Sequence, residues 1–224
     1  MRLPLPQFST SNRHPSYMAE VIETATTEFL AQCLEPEDLS FASMPPFGSW
    51  VKARDDDSGN QIYAVIYHVT TSPIDSVHRA RALGLSLSEL REQQPQIFAM
   101  LKTEFRAVIL GYQSLAQSRN GSSRVELGET VYQHLPPRPP QVHQAVYYCE
   151  PDEIIHFSEQ LDFFRTLLQI NGAPVDSLAA AALREIYRLR QADREWLVQA
   201  GRNLSLLLKD DYDRLRVILS QIHP

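Results

Sequence analysis

The stretch from Thr103 to Pro140 most constrains what this chain can fold into. Glu104-Phe-Arg-Ala-Val-Ile-Leu-Gly-Tyr112 is crowded with β-branched and aromatic residues and stops at Gly111, so it reads as a strand. A polar Gly/Ser turn follows, then a second extended piece, Val125-Glu-Leu-Gly-Glu-Thr-Val-Tyr132. The run Pro136-Pro-Arg-Pro-Pro140 fixes φ and removes backbone donors, which forbids both helix and interior strand. The stretch therefore reads as the last part of a small β-barrel and its exit linker.

Upstream, residues 1–17 mix Pro, Ser, Asn, Arg and His without periodicity and are expected to be a disordered tail. Met18, just before the first regular segment, is a candidate initiator. From Ala19 to Cys33, Thr, Val, Ile and Phe favour two short strands joined around Ala25-Thr26, with a helix as the competing reading because Glu, Ala and Leu are also present. Phe47 to Ala53 alternates as a half-buried strand does. Asp55-Asp-Asp-Ser-Gly-Asn60 is a hairpin tip whose Gly and Asn tolerate positive φ. Gln61 to Thr70 is the clearest strand, near-continuously apolar.

Between that strand and Phe105 lies an interruption near 76–101. It starts with a basic piece, His78-Arg-Ala-Arg81. Ser86-Leu-Ser-Glu89 is then a capping box, opening a helix expected to carry Leu87, Leu90, Ile97 and Leu101 and to be kinked or split at Pro95. Beyond Pro140 the period changes. Ile154, Ile155, Leu161, Phe164, Leu167 and Leu168 predict one helix ended by Asn171-Gly172. Asp176 is expected to cap a second helix to Arg190, and Glu195 to Leu208 and Asp210 to Ile222 supply two more, packed as an antiparallel bundle. The expected fold class is α+β. A small antiparallel barrel spans 18–140 with a helical insertion, and a C-terminal helical bundle spans 141–224.

Composition narrows the function classes. Of 224 residues 43% are hydrophobic, enough for a real core. A net charge of −6 argues against nucleic-acid or anionic-membrane binding through bulk charge. Cys33 and Cys149 lack a CxxC partner, so they read as buried small hydrophobes of a reducing compartment. No apolar run reaches the roughly 18 residues of a membrane span, and the N-terminal residues lack an apolar signal core, so a cytoplasmic protein is expected.

The order of these elements resembles the HAS-barrel, the small barrel shared by HerA-type DNA translocases and rotary ATP synthase subunits. The residues that carry the resemblance are Val21 to Phe29 for the opening hairpin, Gly48-Ser-Trp-Val51, the Ile62 to Thr70 strand, the Phe105 to Tyr112 return strand and the Pro136–Pro140 exit. In those families the barrel leads into a P-loop ATPase. The glycines here stand at 48, 59, 84, 111, 121, 128, 172 and 201, and none precedes a Lys, so the Walker A phosphate cradle is missing. The resemblance thus implies the barrel's role in assembly and partner docking, without ATP turnover.

Other candidate chemistry is thin. There is no HExxH, no spaced calcium loop around Asp55–Asp57, and no Gly-x-Ser-x-Gly. Neither a catalytic residue, a metal ligand nor a cofactor is expected. Arg184, Arg188, Arg190 and Arg194 are interleaved with Glu185, Asp193 and Glu195, which favours ion-paired helix faces over a phosphate stripe. His78, Arg79 and Arg81 are less balanced by acids and are the candidate contact with nucleic acid or an acidic partner. The leading expectation is a non-enzymatic assembly or adaptor module that binds a protein partner or itself. The alternative is an accessory factor of DNA processing that works through Arg79 and Arg81.

Overall fold

The computed structural model describes residues 17–34, 44–74, 82–114, 130–209 and 211–222. The opening hairpin forms as the β-branched pattern predicts. β1 (Tyr17–Thr24) pairs antiparallel with β2 (Glu28–Cys33). They turn where Ala25 N–H donates to Glu28 O at 2.9 Å. β3 (Trp50–Arg54) and β4 (Gln61–Pro73) form the second hairpin, around the Asp/Gly/Asn tip. β5 (Leu101–Ser114) runs back along the whole of β4. β6 (Thr130–Tyr132) and β7 (Ala145–Tyr148) complete the sheet.

The strand order is β2-β1-β7-β3-β4-β5-β6, and a further β2–β5 pairing closes six of these strands into an antiparallel barrel. β5 makes closure possible by changing neighbour along one edge. Its Glu104–Val108 portion pairs with β2, and its Tyr112–Ser114 portion pairs with β6. The strand does not stop at Gly111, as its sequence suggested. A Cβ there would collide with the Tyr132 carbonyl and would lie 3.0 Å from the Phe157 ring, so the glycine is needed for close approach within the strand.

Barrel closure gives two cores. Inside, Phe29, Ile62, Ile66, Phe105 and Ile109 alternate with Ala19, Ala31, Ala53, Ala64 and Ala107, so large and small side chains together fill the narrow lumen. Outside, Trp50, Tyr63, Val65, Tyr67, Val108 and Leu110 share one cluster with the helices. This double burial explains why β4 is apolar almost without interruption: Ile62, Ala64 and Ile66 face in, while Tyr63, Val65 and Tyr67 face the helices.

The prolines do not form the barrel's exit. The expected boundary at 140 falls before β7, which slots between β1 and β3 and pairs with both. The proline segment is instead a crossing strapped to the hairpin tip. Asp57 accepts from Arg138 Nη1 at 3.0 Å and from Gln141 Nε2 at 2.7 Å, and Asp56 accepts from Gln144 Nε2 at 2.8 Å. The acidic run therefore does more than solvate a turn.

α1 (Leu87–Gln93) starts at the predicted capping box: Ser86 N–H donates to Glu89 Oε2 at 2.7 Å, and Glu89 N–H to Ser86 Oγ at 3.3 Å. Pro95 splits it, opening a 3₁₀ turn over Pro95–Met100. The expected apolar stripe does not form a buried face. Leu87 is exposed, α1 buries none of its residues, and Phe98 is the side chain that goes inward.

After β7 come α2 (Pro151–Phe157), α3 (Phe163–Leu167), α4 (Val175–Leu189), α5 (Arg194–Leu208) and α6 (Tyr212–Ser220). The single helix expected over 154–168 is two. Ser158 ends α2 fully buried, and its carbonyl accepts from Trp196 Nε1 at 3.0 Å. The break lets Phe157, Phe163 and Phe164 all reach the core. Asp176 does not cap α4, whose N-cap is Pro174; it lies in the first turn and holds Arg214, Oδ1 to Nη2 at 2.6 Å.

Candidate functional site

Two places where function can reside are the junction between barrel and helices and the barrel's outer wall. The junction is built around Gly48. Its φ of +84° belongs to the left-handed region that glycine adopts without strain, and its N–H donates to Ile66 O at 2.8 Å. An added Cβ would lie 2.5 Å from Ala181 Cβ, so this glycine is also what lets α4 lie against the barrel. Trp50, two residues on, sits against the Phe157 and Phe163 rings at centroid distances of 5.4 and 5.6 Å, in edge-on geometry.

A cavity of about 360 Å³ opens here, with Phe47, Trp50, Cys149, Ala181, Arg184 and Arg188 in its lining. Its arginines are committed, whereas Trp50 Nε1 is buried without a hydrogen-bond partner among the described residues. Arg188 grips Glu185 through Nε at 3.1 Å and Nη2 at 2.6 Å, and Arg184 Nη1 donates to Gln221 O at 3.2 Å. Burial pushes the Cys149 thiol well up, the Glu153 carboxylate adds to this, Lys52 opposes it, and Glu150 adds to it in turn. The sulfur is therefore held as a thiol, the unreactive form. Cys33, inside the barrel, is pushed up to about 11 by burial. Cys33 is buried as expected, whereas Cys149 is half-buried in the cavity lining.

Of the arginine stripe on α4, Arg190 has a structural task that its spacing did not reveal. Its Nη2 donates to Ile155 O at 2.6 Å and to Ser158 Oγ at 3.1 Å, and its guanidinium lies 5.3 Å from the centre of the Trp196 ring. It thus closes the C-terminal end of α2. Arg188 forms the expected ion pair. His134 packs beside the Tyr112 and Tyr132 rings, and His143 meets Glu20. Among the described residues, no three His, Cys, Asp or Glu side chains gather as a metal site. His78, Arg79 and Arg81, the candidate contact for nucleic acid or an acidic partner, lie outside the described residues.

The outer wall divides into two halves. The helical core reaches β3, β4 and β5, whereas none of its members comes from β1, β2 or Ala145–Tyr148 of β7. On that second half, strand alternation sends Phe29, Ala31 and Cys33 inward and leaves Leu30 and Gln32 outward, both half-buried. Leu30 lies opposite Arg106 and Gln32 opposite Glu104. Tyr17 and Tyr147 flank this face with ring centroids 5.5 Å apart.

Residues 18–114 match the family model of the HAS barrel domain. This stretch is a HAS barrel domain. The match runs from β1 to the end of β5, so the strand that completes closure, β7, is supplied from beyond it. No curated protein matches the chain in sequence. Among the described residues no helix is long and apolar enough to cross a membrane.

Proposed function

We propose that this HAS-barrel chain is a non-enzymatic assembly module whose β7–β1–β2 wall, which the helical core does not reach, docks against a protein surface, a second copy or a ring-shaped partner. The observation that carries this reading is the filled lumen. With Phe29, Phe105, Ile62 and Ile109 fully buried inside, side chains of the described residues fill the lumen, and the barrel works through its outside. One half of that outside is taken by the chain's own helices, which leaves the wall bearing Leu30 and Tyr147. The missing phosphate-loop glycine–lysine pattern fits a barrel that transmits assembly without driving it.

Light scattering across a concentration series, together with cross-linking of the chain in its native host, tests the reading. The double variant Leu30→Glu/Gln32→Lys places each new charge opposite its complement, Arg106 or Glu104, so the barrel tolerates it. It is expected to abolish the higher-mass species while the melting temperature holds. A chain that stays monomeric and uncross-linked at every concentration, or assembly unchanged in the double variant, overturns the proposal.

A further inference from the structure

A second surface, on the helices, is built differently from the barrel wall. α5 carries its core residues Trp196, Ala200 and Leu204 on one side. Its flank, from Arg194 through Val198 and Arg202 to Ser205, lines a groove of about 810 Å³ whose other wall is Leu219 and Ile222 near the end of α6. Gly201 forms part of the floor. A Cβ there would only just touch Leu219 Cδ2, at 4.0 Å, so the space beside Gly201 is open. The groove continues past Leu219 into an apolar depression on α6 that takes in Leu215 and Tyr212. Val198 is 52% exposed and Tyr212 68% exposed, so both present apolar surface to solvent.

The rim is basic. Arg194 and Arg202 border the groove and Arg216 the depression, and among the described residues none of the three is ion-paired. Of the nearby carboxylates, Asp193 caps α5, Asp211 caps α6 and Asp176 holds Arg214, while Glu195 and Asp213 lie in the first turns of α5 and α6 and pair with none of the three arginines. In a chain of net charge −6, an apolar trough edged by unmatched guanidinium groups is locally complementary to the opposite of its surroundings.

We propose that this groove receives an amphipathic α-helix of a partner protein, apolar along one stripe and acidic along its flanks. The dimensions fit that occupant. Arg194 to Ser205 covers twelve residues, about 17 Å over eleven rises of 1.5 Å, which accommodates three turns of helix presenting residues at i, i+3/i+4 and i+7. A two-fold pairing of two copies through the same groove would set the basic rim against itself, which disfavours a second copy as the occupant. The inference is independent of the barrel wall, since the two surfaces share no residue.

The test uses the full chain and a fluorescein-labelled, stapled helical peptide with Leu at i, i+3, i+7 and i+10 and Glu on both flanks, read by anisotropy. Its counterpart carries Lys in place of every Glu. The Glu peptide is expected to bind at least about tenfold more tightly than the Lys peptide, the size of two rim ion pairs. Arg194→Glu/Arg202→Glu is expected to invert that order, and Val198→Asp to weaken the Glu peptide, with unchanged melting in both variants. Equal binding of the two peptides, or binding of neither, overturns the proposal. So does a chain that dimerises and loses dimerisation on Arg194→Glu/Arg202→Glu, because the occupant is then a second copy. Leu30→Glu/Gln32→Lys leaves peptide binding untouched, so failure here and failure of the barrel reading give different results.

Discussion

Lys52 and Glu153 meet across the seam between barrel and helices, with Lys52 Nζ 2.6 Å from Glu153 Oε1 and 2.7 Å from Oε2. The pair is only 17% and 24% exposed, so it is more than a surface ornament. Glu153 also accepts from Gln61 Nε2 at 3.0 Å and from its own helix's Glu150 N–H at 2.7 Å. One carboxylate thus starts α2 and ties it to β3 and β4.

Removing the cation leaves that carboxylate half-buried with reduced compensation. Lys52→Met is expected to cost about 1–2 kcal/mol, between the values for exposed and buried pairs. That lowers the melting temperature by a few degrees. Glu153→Gln keeps an acceptor for the Glu150 N–H and is expected to cost less. Urea unfolding of the two variants checks the order; equal losses would mean that the ion pair adds nothing to the cap.

Gln133 plays the corresponding part at the break between α2 and α3. Its Nε2 donates to Phe157 O at 2.5 Å and Gln160 O at 2.9 Å, and its Oε1 accepts from Phe163 N–H at 2.9 Å. A side-chain amide, with donor and acceptor at one end, can serve a helix end and a helix start at once. Gln133→Ala is expected to destabilise by about 1–3 kcal/mol because it orphans these backbone groups. Gln133→Glu keeps the acceptor, loses both donors and sets a charge against two carbonyls, so no rescue is expected. A Gln133→Glu variant as stable as the parent would sink this account of the break.

Much of the barrel could be read locally, because each hairpin announces itself over a few residues. The strand alternation at Phe29 and Ala31, the Asp/Gly/Asn tip and the Ser86–Glu89 box need no distant partner to be recognised. What escaped depends on distant partners. β7 is a four-residue strand with no long alternation, and it lies beyond prolines that normally end a sheet. Its place is fixed by β1 and β3, more than 80 residues earlier in the chain. The break at Ser158 was hidden because apolar spacing continues from Ile154 to Leu168 across it. Only Trp196, Arg190 and Gln133, from three other segments, show why the chain turns there. The helical groove was illegible for the same reason: Arg194 read as ion-paired, and Arg202 carried no signal until α5 is set beside α6.

Gly48 carries two constraints that substitution can separate. Gly48→Ala is expected to destabilise by about 2–5 kcal/mol, summing the left-handed backbone cost of about 1–2 kcal/mol and overpacking against Ala181 of about 1–3 kcal/mol. Adding Ala181→Gly removes the collision but leaves the φ of +84° in place. The double variant is therefore expected to recover part of the loss even though Gly inside a helix is itself unfavourable by about 1 kcal/mol. A double-mutant cycle on melting curves measures the coupling between the two positions. A coupling energy near zero would show that α4 does not depend on this glycine for its approach to the barrel.

Alkaline pH should loosen the fold from the inside of the barrel. Burial pushes the Cys33 thiol from 9.0 up to about 11, and burial with the neighbouring Glu28 carboxylate pushes the Tyr67 hydroxyl from 10.0 up to about 12. Between pH 9 and 11 the unfolded chain releases the Cys33 proton while the folded chain keeps it, so the folded state binds more protons and stability falls as pH rises. The contribution is fully present below the unfolded pKa and is lost toward the folded one, at a limiting slope of about 1.4 kcal/mol per pH unit for a single group. Tyr67 extends the same trend to higher pH. Urea midpoints at pH 7, 9 and 10 are expected to decline, and Cys33→Ala, lacking one of the titrating groups, is expected to decline less steeply despite a lower starting stability. An identical slope in the two proteins would mean that the thiol titrates alike in both states, which a cysteine only 7% exposed inside a filled barrel should not do.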